Sequence, residues 1–229
     1  MKKTVYLTIL LALLVIFFSQ TGTTQDRDPG INAEYFPLKE GRFWQYNYSS
    51  EEQAMADAEG EAIIKTEAEI KLKITNIIET SKVILAEVSG NSLNLFDCTK
   101  DAHTYWIAII KSTGCFYCNQ PFSKEDFLDE RLDGPKGEPT LMMPLRVGQY
   151  WNDQGLKRKD TSYRWQVEAM ETITVPAGTF KCFRIAYRSC PDHQIIWFCP
   201  TVGIIRQEYE HHGTIINFYM ELAAYGSEK

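Results

Sequence analysis

Six cysteines and four histidines are the side chains of this sequence best suited to chemistry. Cys115 and Cys118, in "GCFYC", have the C-x-x-C spacing of redox sites, in which a helix N-terminus lowers the pKa of the first thiol. The flanks "IAIIKSTG" and "NQPFSK" start no obvious helix at the motif, so structural bridging is the stronger reading. Cys98, His103, Cys115 and Cys118 supply the ligand types of a closed zinc site. Their gaps form no familiar metal pattern, and an exported chain usually oxidises such thiols. Cys182 and Cys199 lie on strands flanking the turn around Pro191–Asp192. Symmetric pairing would bring them close to opposite each other, so a cross-strand bridge is expected there, with Cys190–Cys199 as its rival. An even cysteine count leaves the full connectivity open. Three cysteines precede segment 123–140 and three follow it, so complete pairing would need at least one bridge between the halves.

The histidines and carboxylates suggest less. His103 and His193 each follow an aspartate that could orient an imidazole, but no nucleophile sits in a local signature such as G-x-S-x-G. His211 and His212 read as solvated residues of a hairpin tip. Asp126 and Asp129 fall in a charged segment and not across a cleft, as a glycosidase pair would require. These residues give no reason to expect an enzyme, a cofactor or a metal. The aromatic residues Trp44, Tyr46, Trp106, Trp151, Trp165 and Trp197 remain: on one face of a curved sheet they could line a ligand groove. Ordinary core packing is the competing role.

The elements that must place these residues begin after a leader. "MKK" followed by the uncharged run "TVYLTILLALLVIFF" and small polar residues has the layout of a signal peptide, expected over 1–24. The run is short for a membrane span, and no later stretch could cross a bilayer, so an extracytoplasmic chain, periplasmic or secreted, is expected over 25–229. The formal charge is -6, with no basic cluster beyond "LKRKD", which argues against nucleic acid as a partner.

Alternation then dominates. Ile70, Leu72 and Ile74 share one face of a strand, and Lys71, Lys73 and Thr75 the other. A turn near 80–82 returns the chain as "VILAEVSG". "NLFD", "TYWIAIIK" and "GCFYC" read as further strands. Segment 123–140 is the clearest break, with room for one short helix and a Gly/Pro-rich loop. In "VPAGT", Pro176 presets the first turn position and Gly178 suits the left-handed position that forms a bulge.

One phrase occurs twice: "FPLKEGRFW" at 36–44 and "MPLRVGQYW" at 143–151. A second correspondence supports it, "CTKDAHTYW" at 98–106 against "CPDHQIIW" at 190–197, each followed by a glycine, Gly114 and Gly203. Pro cannot donate to a sheet ladder, so the phrase reads as a folding corner that opens each half. The pattern predicts a mostly β fold. We expect a single domain with a curved antiparallel sheet, half-barrel or clam-like, built from pseudo-repeats at about 34–122 and 141–229 joined by 123–140.

"YFPLKEGRFWQYNY", "MPLRVGQYW", "VPAGTFKCFRI" and "WFCPTVGIIRQEY" together resemble exported bacterial proteins of unknown function with PLxxGxxWxY and VPAGTF motifs. That family is similar in architecture to periplasmic lipoprotein-carrier proteins. The resemblance implies an apolar concave face and an apolar or lipid-like ligand, and it brings no catalytic residues. Cys199 and Thr201 depart from it, standing where Ala and Gly are common, and Cys199 is therefore assigned to a local disulfide. The expected function is a non-enzymatic carrier of an apolar or lipid-like ligand; the alternative is a structural or protein-interaction module of the cell envelope with a filled core.

Overall fold

The computed structural model describes residues 35–54, 62–118, 123–128, 139–151, 163–189 and 191–228. The leader, the basic loop, Cys190 and most of the 123–140 connector lie outside the described residues. Among the described residues strand accounts for 65% and helix for 3%, so the fold is mostly β, as expected.

The chain before the second copy of the phrase supplies β1 (Arg42–Gln53), β2 (Ile63–Glu79), β3 (Val83–Gly90), β4 (His103–Ile110), β5 (Cys115–Tyr117) and β6 (Leu141–Met142), the last falling on the first two residues of the expected second repeat. The second half supplies β7 (Tyr150–Trp151), β8 (Arg164–Val175), β9 (Gly178–Arg188), β10 (Asp192–Cys199), β11 (Gly203–His211) and β12 (Ile216–Ser227). All twelve form one sheet in the order β6-β5-β4-β3-β2-β1-β12-β11-β10-β9-β8-β7. Each half is thus a six-strand antiparallel meander, and β1 of the first pairs with β12 of the second along nearly its whole length. The sheet curls into a nearly closed barrel, and its two edge strands, β6 and β7, are neighbours in sequence.

Period two decides what fills the barrel. Trp44, Tyr46 and Tyr48 point inward from β1, as do Ile70, Leu72 and Ile74 from β2, and all are buried. Lys71, Lys73 and Thr75 face outward, as their alternation predicts. Inward side chains from both halves meet in one hydrophobic core. Two irregular segments close it. Tyr35, Phe36 and Leu38 lead into β1 fully buried, with Phe36 stacked 4.3 Å from Phe116 and Tyr35 stacked 5.6 Å from Phe198. Residues 91–101, between β3 and β4, bring Leu93, Leu95 and Cys98 into the same core. Within that segment "NLFD" is a turn and not the expected strand: Asn94 accepts the Phe96 and Asp97 amides, the first through its side chain and the second through its carbonyl. Asn, Ser and Asp compete with sheet hydrogen bonding in this way.

The outer face carries one smaller apolar cluster. Val83, Leu85, Ala108, Ile110 and Tyr117 are covered there by Phe127 of α1 (Lys124–Leu128). Ser123 and Asp126 exchange side chain–backbone hydrogen bonds at the start of α1, a capping arrangement.

The glycine corner of the repeated phrase folds the same way twice, whereas the Met143–Pro144 peptide of the second copy is cis and the Phe36–Pro37 peptide of the first is not. The Arg42 amide donates to the Lys39 carbonyl at 3.0 Å, and the Gln149 amide to the Arg146 carbonyl at 3.0 Å. Gly41 (φ 78) and Gly148 (φ 89) both take the left-handed conformation. Gly41 donates to Ile74 at 2.9 Å and Gly148 to Val167 at 2.8 Å, each acceptor lying beside a bulge in the second strand of its half. The "VPAGT" turn also follows its residues: Val175 pairs with Gly178 across Pro176–Ala177, and Gly178 has φ 135.

Candidate functional site

The six aromatic side chains expected to share a ligand-lining face divide between two faces. Trp44, Tyr46, Trp151 and Trp165 lie in the sealed interior. Their polar atoms are satisfied by backbone: Trp44 Nε1 donates to the Val202 carbonyl at 2.7 Å, Tyr46 Oη to Ile204 at 3.0 Å, and Trp151 Nε1 to Pro139 at 3.0 Å. Trp165 stacks on Trp151 with centroids 6.4 Å apart. Trp106 packs on the outer cluster instead, beneath Lys124. Trp197 also faces outward, opposite Arg206 on β11 and Arg184 on β9. Both guanidinium groups lie over its ring, at 5.6 and 5.8 Å, and its Nε1 donates to Glu171. Such cation–π contacts are worth about 0.5–1 kcal/mol each when exposed.

No disulfide is formed among the described cysteines Cys98, Cys115, Cys118, Cys182 and Cys199, and Cys190 lies outside the described residues. Cys115 and Cys118 cannot bridge, because three residues apart on an extended chain they point to opposite faces; Cys115 packs with the outer cluster and Cys118 with the interior. Cys98 is buried in the 91–101 segment, where its Sγ donates to the Leu95 carbonyl. Burial pushes the Cys98 and Cys118 thiols up to about 12, the reverse of an activated nucleophile. His103 is exposed at the start of β4 and does not converge with these three cysteines. Cys182 and Cys199 are neighbours, as the symmetric pairing predicted: they share a thiol–thiol hydrogen bond that raises the Cys182 pKa and lowers that of Cys199.

A groove lies on the outside, across β10, β11, β12, β1 and β2. It measures about 480 Å³ and is lined by Ser49, Glu51, Lys65, Glu67, Glu208 and Tyr219 among others. These residues alternate with the inward-facing core positions, so the same period that fills the barrel builds the groove. Four carboxylates (Glu51, Glu67, Glu208 and Glu210) stand against one ammonium, Lys65, which pairs with Glu51. Partial burial raises the pKa of Glu208, opposed by Arg206 and Arg184. A belt of ion pairs runs beside the groove: Glu168 holds Arg184 and Arg188, and Glu221 accepts from Arg206 at 3.3 Å and from Tyr219 Oη at 2.6 Å.

At one end of the groove, His193 on β10 faces Glu210 on β11 as a direct cross-strand pair. His212, two residues beyond Glu210, sits on the same side, with Nδ1 3.7 Å from Glu210 Oε1 and its ring centroid 6.2 Å from that of His193. Desolvation, then the charges of Arg188 and Arg184, lower the pKa of His193. His211 behaves differently: its Nδ1 accepts the Gly213 and Thr214 amides and belongs to the turn. The sequence alone groups His211 and His212 as solvated residues of one turn. The β10–β11 register, which no short motif encodes, is what separates them.

No helix among the described residues is long and apolar enough to cross a membrane. A family model described as DUF3108-like matches residues 150–221, from β7 into β12, a span that includes the "VPAGTF" and "WFCPTVGI" stretches. A search of curated proteins finds no match. Among solved structures, a Bacteroides fragilis protein inferred to be exported, with a YmcC-like fold, is 13% identical at a TM-score of 0.48, covering 84% of this chain and 99% of its own. A Parabacteroides distasonis protein inferred to be a lipoprotein is 15% identical at a TM-score of 0.46, covering 84% and 98%.

Proposed function

We propose that this chain is an extracytoplasmic, non-enzymatic binding module of the cell envelope that works from its outer face and keeps its barrel interior for stability. The observation that carries this reading is the state of the interior. Large aromatic side chains from both halves fill it, and the indole and phenol groups of Trp44, Tyr46 and Trp151 are tied to backbone carbonyls. An acyl chain would have to displace packed side chains and leave those carbonyls unpartnered, at a cost of about 1–3 kcal/mol for each. The carrier expectation, which needs an apolar concavity, is therefore the weaker of the two functional readings. The outer groove instead suits a partner that offers cationic side chains to Glu67 and Glu208.

Native mass spectrometry of the protein made in an oxidising compartment, followed by denaturation, separates the two readings. The bare mass is expected; lipid-sized mass that leaves on denaturation would restore the carrier. A photo-cross-linker at Glu67 in the groove is expected to capture an envelope protein, and one at Lys181 outside it is not. Equal capture at both positions would show that the groove does not select the partner.

A further inference from the structure

We propose that His193, Glu210 and His212 form a three-ligand site for a divalent transition-metal ion, of which Zn²⁺ is the representative, with an open coordination position facing the outer groove. One ligand atom from each of the three lies within 4.8 Å of the others. Zinc bonds of about 2.0–2.2 Å place tetrahedral ligand atoms roughly 3.3 Å apart, so the three must close by up to about 1.5 Å. Glu210 and His212 can do so by side-chain rotation alone, since their side chains are 60% and 55% exposed.

The backbone fixes the rest. His193 and Glu210 are opposed by the β10–β11 register. His212 is held over them by its amide, which donates to the Pro191 carbonyl at 3.0 Å. The Arg188 guanidinium donates to His193 Nε2 at 2.9 Å, so that nitrogen carries a lone pair. Arg188 has separate bonds to Glu168, at 2.9 and 3.1 Å, which it keeps if an ion displaces it from the ring. Its positive charge nearby weakens binding of any cation, which points to a site of moderate affinity.

Two imidazoles and one carboxylate suit borderline ions over Ca²⁺ or Mg²⁺, which prefer oxygen ligands throughout. Three protein ligands leave a position for water or for a group brought by another molecule. His193 and Glu210 also line the groove, so that position opens toward whatever the groove holds.

Isothermal titration of the purified protein with Zn²⁺, repeated after thiol alkylation, tests the site. One saturable equivalent is expected before and after alkylation, with Ca²⁺ failing to compete. Loss of a partner behind a metal ligand already costs about 10–100-fold in affinity, so His212→Ala and Glu210→Gln are each expected to weaken zinc binding at least about tenfold. His103→Ala should leave it unchanged. Absence of saturable binding would overturn the assignment. So would binding that survives both substitutions and disappears on alkylation, which would give the metal to Cys182 and Cys199. Neither result bears on the groove's partner, which the cross-linking experiment tests separately.

Discussion

At the scale of single residues, the departures from regular chemistry are what matter. Thr201 has φ 70 in the turn between β10 and β11, a conformation that costs a residue with a Cβ about 1–2 kcal/mol. Its amide donates to the Tyr35 carbonyl at 2.9 Å, and that bond holds the strained backbone in place. The sequence marked this position, since the exported family it resembles commonly has Gly there, but the mark was read as a reason for a Cys199 disulfide. We expect Thr201→Gly to stabilise the protein, by about 0.5–1 kcal/mol once the greater unfolded entropy of Gly is subtracted. A urea midpoint that falls in this variant would contradict the strain. Burial sets a second residue-scale property. It raises the pKa of Tyr46 and Tyr105, takes Tyr48 to about 12, and takes Cys98 and Cys118 to about 12. These acids hold their protons longer in the folded state than in the unfolded one. Their contribution is complete below the unfolded values, near pH 9–10, and is lost as pH rises toward about 12. Urea unfolding should therefore show falling stability across that window, with tyrosinate absorbance from these residues appearing together with loss of the fold. Early, gradual ionisation of all tyrosines in an intact protein would show that the interior is wet.

At the scale of elements, the two corners built from the repeated phrase make a controlled comparison. Gly41 and Gly148 have the same left-handed backbone and the same type of amide bond to a second strand. A Cβ on Gly41 would stand 2.2 Å from the Glu228 carbonyl oxygen, whereas one on Gly148 meets nothing within 4 Å. Gly148→Ala should cost only the conformational term, about 1–2 kcal/mol. Gly41→Ala must also move the end of β12 off β1, and we expect at least about 1 kcal/mol more. Equal losses in chemical denaturation would mean that the β12 end yields freely. This comparison is possible because the corner was legible in the sequence: Pro, Leu, Gly and Trp at fixed spacing specify it wherever it occurs. The inward set of β2 was legible for the same local reason, since Ile70, Leu72 and Ile74 alternate with polar residues. Trp106 and Trp197 were misjudged because a tryptophan on a strand is compatible with either face. Only register and bulges, such as those at Thr75 and Glu168, decide which face it takes. The His193–Glu210 pair was hidden for a related reason: residues far apart in sequence become neighbours only once β10 and β11 are aligned.

At the scale of the whole molecule, the long strands were legible as alternation but the two-residue edges and the closure were not, because closure depends on which strands become edges. The chain places its longest pairings in the middle of the sheet, β1 with β2 and with β12, and its shortest strands at the two edges. Two-residue edges offer little for edge-to-edge association. The seam between β6 and β7 is held by side chains in place of a full ladder. Gln149 Nε2 donates to the Met142 carbonyl at 2.7 Å, its Oε1 accepts the Arg146 amide at 2.9 Å, and the Leu145 amide donates to Tyr35 Oη at 2.9 Å. Local stability should follow this layout, because opening costs least where backbone pairing is thinnest. In hydrogen exchange at neutral pH, amides of β1, β2 and β12 are expected to exchange last, near the rate of global unfolding, and those of β6 and β7 first. Gln149→Ala removes two of the three seam bonds, so it should speed exchange in β6 and β7 by about tenfold or more while leaving β1 and β2 unchanged, since a bond worth about 1 kcal/mol shifts an opening equilibrium about fivefold. If that substitution accelerates every strand alike, the barrel opens only as a whole and the seam is as strong as the ladder. If it accelerates the seam alone, closure is a separate, weaker step added to a central sheet that stands without it.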